Sequence, residues 1–169
     1  MVNYPYLPKG REILYVPETN PFMKVAMEVA RDLSSDAMQS TGVVIVKHGE
    51  IVAKGANQSI IKNSRLQDIH RKGLCTRKFF KIKSGTKYWL CPGCSGFGSH
   101  AEARAIKDAE RNNVDIREAD LYLWGHWWCC KPCWDKMIEA GIKNVYLLEE
   151  SEKLFNLSSA SHVLGKQFK

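Results

Sequence analysis

The stretch HWWCCKPCWDKM, His126 to Met137, places three cysteines within five positions. Two of them, Cys130 and Cys133, have the C-x-x-C spacing that lets both sulfurs reach one metal ion. They fall where a helix is expected to open, and the unpaired N–H groups and positive dipole end there favour thiolate, the form that binds zinc. Two sulfurs make only half a site. Another expected helix opens on SHAEA, where His100 offers an imidazole and Glu102 a carboxylate two residues later. His100, Cys130 and Cys133 would leave the fourth tetrahedral position to water, whose pKa a bound zinc lowers toward about 7. Glu102 is then placed to take a proton and return it to a leaving group. The chemistry of such a set is metal-assisted hydrolysis.

A further C-x-x-C, Cys91 and Cys94 in CPGC, has Cys75 and His70 upstream, which completes a Cys3His set of the kind that holds a structural zinc. His126 is the substitute for His70 if the folded chain brings the two regions together. The alternatives for these sulfurs are burial as small hydrophobes or an adventitious disulfide. Cys129, beside a ligand, is expected to point into the core.

The elements that must position these groups alternate. In TNPFMKVAMEVARDL, Asn20 stands at an N-cap, Pro21 at the first helical position, and Phe22, Val25, Ala26, Val29 and Leu33 at helical spacing. GVVIVK and EIVAKGA read as two strands of a hairpin turning at Gly49, with His48 in the turn. HAEARAIKDAERNN is a helix, DLYLW a strand, KPCWDKMIEAG a helix closing on Gly141 and KNVYLLE a strand; the tail SEKLFNLSSASHVLGKQFK holds one more helix. This order predicts an α/β protein, a three-layer α/β/α sandwich with a mixed central sheet. One domain over 1–169 is expected, with a Cys/His-rich basic insertion at about 58–99. From Asn57 to Ser99 periodicity is lost over about forty residues, longer than an unstructured connection usually runs, and a metal clip would hold that stretch.

Net charge is +7, and the segment Ile60 to Leu90 carries nine Lys or Arg against one Asp, so the remainder sums to −1. That segment, 60–90, suits an anionic partner, a nucleotide phosphate or nucleic acid, or is a solvated loop. No apolar run approaches the roughly 18 residues that span a bilayer, and no secretory leader is visible. No membrane association and a cytoplasmic location are therefore expected, where thiols stay reduced.

H-x-E followed at a distance by C-x-x-C resembles the signature of zinc-dependent nucleobase deaminases. FMKVAMEVARDL, GVVIVKHGEIVAKGAN, HAEARAI and CKPCWDKMIEAGIKNVYL fall in the order of the cytidine deaminase-like superfamily, over roughly Phe22 to Leu148. CTRKFFKIKSGTKYWLC, Cys75 to Cys91, is similar to the segment ahead of H-x-E in deoxycytidylate deaminases. The resemblance implies hydrolysis of dCMP at C4 to dUMP and ammonia, with His100, Cys130 and Cys133 as zinc ligands and Glu102 carrying protons to N3 and the amine. It further implies that Asn57 contacts the nucleoside and Arg77 a phosphate, and that the protein is a homo-oligomer. Trp127, with Trp128 beside it, is a candidate for stacking on the base, core packing being the alternative. The chain departs from the family pattern with Cys129 for a proline, Arg104 for an asparagine and GANQ for Gly-x-Asn-Gly. A base within single-stranded DNA or RNA, including tRNA, is the alternative substrate, and a non-catalytic zinc-stabilised nucleic-acid-binding module the alternative class.

Overall fold

The computed structural model describes residues 5–36, 38–59, 63–72, 74–82, 87–91, 93–94 and 96–168. The first helix, α1 (Pro21–Leu33), starts where its cap dictates: Asn20 Oδ1 accepts from the N–H of Phe22 (3.0 Å) and Met23 (3.1 Å). Its apolar face, Met23, Ala26, Val29 and Ala30, is buried against the sheet.

Strands β2 (Gly42–Lys47) and β3 (Glu50–Ala56) form the hairpin expected from sequence, with His48 at φ 53° and Gly49 at φ 81° in the turn. Two consecutive positive φ values match the twist of antiparallel strands. Strand β4 (Asp120–Trp124) runs antiparallel to β2 and parallel to β5 (Asn144–Leu148). A short edge strand, β1 (Leu14–Val16), pairs parallel with β5, which gives the mixed order β1-β5-β4-β2-β3.

Alternation along β2 sorts the two faces. Val43 and Ile45 enter the cluster with Ala105 of α4 (Ala101–Arg111) and Trp134 of α5 (Lys131–Glu139). Val44 and Val46 enter the opposite cluster with α1 and with Phe155 of a short helix, Ser151–Phe155. The result is the α/β/α sandwich. Two short helices, α2 (Ser64–Arg71) and α3 (Thr76–Phe79), and 3-10 turns at Tyr88–Leu90 and Phe97–Ser99 give the insertion the structure that periodicity did not announce. No described helix is long and apolar enough to cross a membrane.

Glycines on the sheet set how closely the helices approach. A Cβ at Gly55 would stand 2.3 Å from Ala105 N and 2.4 Å from Ala101 O, main-chain atoms that cannot swing aside. Gly55→Ala is expected to push α4 off β3 at a cost of about 1–3 kcal/mol. A thermal melt checks it; at this size the fall in Tm should be roughly 2–12 °C.

Candidate active site

Two helix N-termini converge on one point. His100 occupies the cap position of α4, and Cys130 that of α5, both with extended backbone and neither side chain engaged in a capping bond, and the two side chains turn toward each other. Cys133 follows in the first turn of α5, its N–H bonded to Cys130 O at 3.0 Å. The His100 Nδ1 lies 3.5 Å from Cys130 Sγ and 3.4 Å from Cys133 Sγ, and all three atoms lie within 4.8 Å of one another. A tetrahedral zinc, with Zn–S about 2.3 Å and Zn–N about 2.0–2.1 Å, requires N···S separations of about 3.6 Å. The donor set and its spacing fit zinc with one position left open.

The electrostatics suit that role. A hydrogen bond from the Cys133 thiol draws Cys130 down to about 5, against the opposing effect of burial and with help from His100. Cys133, which keeps the shared proton and is buried, is pushed well up. Burial likewise pushes the Glu102 carboxyl up, opposed by the neighbouring His100. Glu102 is 5% exposed, and it lines the same cavity as His100 and Cys130. That cavity is about 310 Å³, within the range of small-molecule sites.

The remaining candidates are distributed around it. Asn57 is on the wall, but most of its amide is committed: Oδ1 accepts from Thr41 N (2.9 Å) and Ser34 Oγ (2.5 Å), and Nδ2 donates to Gln39 O (2.8 Å). One Nδ2 hydrogen is left for a ligand. Arg77 is buried on the wall, its guanidinium 4.0 Å above the Tyr88 ring and Nη1 donating to Cys94 Sγ at 3.7 Å. Tyr88 in turn meets the His100 ring edge-on at 5.5 Å.

The two tryptophans are placed differently. Trp128 lines the cavity, while Trp127 packs partly against the α1-side core and partly against the cluster of Trp128, Cys130 and Cys133. Two contributors had no signal in the sequence, Asp36 and Gln39, and His126, singled out there only as a substitute metal ligand, stands on the wall with them. Asp36 Oδ1 accepts from Met38 N (3.0 Å) and Gln39 N (3.2 Å), and burial pushes its carboxyl up.

The second set also closes. His70, Cys75, Cys91 and Cys94 offer atoms all within 4.8 Å, with Cys75 Sγ 3.7 Å from Cys94 Sγ and Cys94 Sγ 3.5 Å from His70 Nε2. A tetrahedral zinc needs about 3.8 Å between sulfurs. His70, not His126, stands with the sulfurs, at the end of one insertion helix, and Cys75 caps the next. Gly93 passes directly beneath the imidazole, where a Cβ would lie 2.1 Å from His70 Cγ. Four protein ligands leave no open position, the pattern of a structural site. Cys129 is fully buried in the core beneath α4 and α5.

Residues 17–149 match the model of the cytidine and deoxycytidylate deaminase zinc-binding region. The chain belongs to this family. It has the cytidine deaminase-like fold, and its two Cys/His clusters are possible metal sites. Solved structures similar to it include a Thermotoga maritima diaminohydroxyphosphoribosylaminopyrimidine deaminase/5-amino-6-(5-phosphoribosylamino)uracil reductase (26% identity, TM-score 0.43, 75% of this chain and 28% of that one). Others are a guanine deaminase from Bacillus subtilis (21%, 0.42, 75% and 60%) and a dCMP deaminase from the cyanophage S-TIM5 with dCMP and dUMP (20%, 0.45, 78% and 82%). The chain thus spans little more than a quarter of the bifunctional Thermotoga protein. Comparison with curated proteins gave no match.

Proposed function

We propose that the protein hydrolyses a cytosine nucleotide, dCMP to dUMP and ammonia. The observation that carries this reading is a buried carboxyl, Glu102, opening onto one cavity together with the His100/Cys130/Cys133 cluster and a buried cation, Arg77.

In this reading His100, Cys130 and Cys133 hold the catalytic zinc. The bound ion supplies Lewis acidity and a water of pKa near about 7. Glu102 would carry one proton of the attacking water to N3 and the other to the 4-amine, so that the C4–N bond breaks, a C4 carbonyl forms and ammonia leaves. Burial serves this shuttle, because it brings the acid and base forms of the carboxyl closer in free energy at neutral pH. Asn57 contacts the nucleoside through its remaining N–H, and Arg77 meets the 5′-phosphate from across the cavity.

His70, Cys75, Cys91 and Cys94 hold a second, structural zinc that orders the insertion at about 58–99 within a single deaminase domain, 1–169. Six free cysteines suit a reducing, cytoplasmic setting. The active form is a homo-oligomer, an expectation that sedimentation checks.

One observation favours a second reading, a base within single-stranded DNA or RNA. Phe79, Phe80 and Trp89 are 81%, 61% and 76% exposed, and Lys78, Lys81 and Lys87 of the same insertion are exposed as well. Exposed rings among cations are what stacks unpaired bases. Ammonia release from dCMP, CMP, deoxycytidine and a cytosine-containing single-stranded oligonucleotide ranks these. The first reading expects dCMP to lead in kcat/KM with a weak dependence on salt. Preference for the oligonucleotide, weakening steeply with salt, selects the second, and no release from any of them defeats both.

A further inference from the structure

The cavity wall carries one polar group that the proposed reaction has not used. His126 leaves strand β4 through Gly125, whose φ of 93° turns the chain back over its own imidazole. As a result two successive main-chain N–H groups, of Trp127 and Trp128, donate to His126 Nδ1 at 3.0 and 3.3 Å. An atom that accepts from two donors carries no proton of its own. In the neutral ring the proton must therefore sit on Nε2. The Trp128 ring, edge-on at 5.0 Å and 90°, holds the imidazole in this orientation. Burial adds to the effect and pushes the His126 pKa down to about 3, so the ring is neutral at physiological pH.

No described residue accepts from Nε2, and His126 lines the cavity beside His100 and Glu102. The site thus presents a fixed, uncharged N–H donor close to the reacting centre. From this geometry we infer that His126 reads the base: its Nε2–H donates to the 2-oxo oxygen of a cytosine ring.

This inference rests on the deaminase reading of the same cavity, and the chemistry of the ring selects the atom. Along one edge cytosine presents the 4-amino group, N3 and the 2-oxo oxygen in order. With the amino carbon at the metal cluster and N3 at Glu102, the next atom along the edge is the oxygen, an acceptor only. Adenine held by the same amino and ring-nitrogen groups presents a C–H there, which leaves the buried donor unmet. A site built around such a donor rejects the base that lacks the acceptor.

Two substitutions separate reading from folding. His126→Asn keeps an acceptor near the Nδ1 position for the two tryptophan N–H groups but removes the distal donor. His126→Gln returns an amide N–H near Nε2. With zinc content and Tm unchanged, His126→Asn should lose about tenfold in kcat/KM on dCMP, and His126→Gln should recover part of it. A loss of less than twofold in His126→Asn overturns the inference.

The second readout needs no turnover. In long-range 1H–15N spectra of the holoprotein at pH 7, His126 should show the Nε2–H tautomer, and its signal should move on saturation with dUMP, which keeps the 2-oxo oxygen. An Nδ1–H tautomer, or no movement with dUMP, overturns the inference. Failure of the wild-type protein to release ammonia from any cytosine substrate would defeat the deaminase reading instead, and the tautomer and dUMP results would still judge His126.

Discussion

Glu102→Gln should abolish ammonia release from dCMP, by about 10²–10⁴-fold in kcat, while zinc content stays at the wild-type value. Glutamine has the shape of the carboxyl and fills the same buried space, but it cannot take a proton from water and hand it to the ring. The imidazole and two thiolates are untouched, so the metal stays. Stability gives a further sign to check on the metal-free protein. Burial raises the folded-state pKa of Glu102 above its ordinary value of 4.5, so the unfolded chain gives up this proton first. The carboxyl's contribution to stability is then fully present below the unfolded value and is lost as pH rises through the folded one. Glu102→Gln removes that loss, and at neutral pH the metal-free variant should melt no lower than the metal-free wild type. A variant that loses its metal, or retains turnover within a few-fold, would show that Glu102 is not the proton carrier.

Cys91→Ser should have the other large effect, and a different one. A structural zinc contributes on the order of 10 kcal/mol to the fold it ties together, and replacing one of four ligands removes much of that. The variant should bind one zinc where the wild type binds two. The insertion should then open to trypsin at Arg65, Lys72, Lys78, Lys81 or Lys87, all already exposed. The sandwich core lies in separate clusters from these sulfurs and should stay folded. Because Arg77 stands over Tyr88 and bonds Cys94, KM for dCMP should rise much more than for deoxycytidine. Two zinc ions per chain and no new tryptic cuts would contradict the clip.

What could be read before folding depended on how local its cause was. The bounds of α1, β2, β3 and β4 follow from caps, turn residues and alternation, all short-range, and the structure returns those bounds. Strand β1 was invisible because three residues cannot display a period, and its place depends on pairing with β5, more than a hundred residues away. The helix Ser64–Arg71 is polar and mostly exposed, so no apolar face announced it. Cysteine and histidine at ligand spacing stand out in any chain, which is why both clusters could be anticipated as sets before the fold brought their atoms together. The place of His126 on the cavity wall could not be read this way. Its role depends on a tautomer set by two main-chain N–H groups, and only the turn at Gly125 supplies them. The choice between Trp127 and Trp128 likewise depended on which of the two faces the cavity as the chain leaves β4.

The most direct measurement is anomalous X-ray scattering at the zinc absorption edge from crystals of the protein as purified. One peak should lie about 2.0–2.3 Å from His100 Nδ1, Cys130 Sγ and Cys133 Sγ, with a fourth, non-protein position facing Glu102. No peak among those three atoms, or a fourth protein side chain closing the coordination, would contradict a hydrolytic centre there.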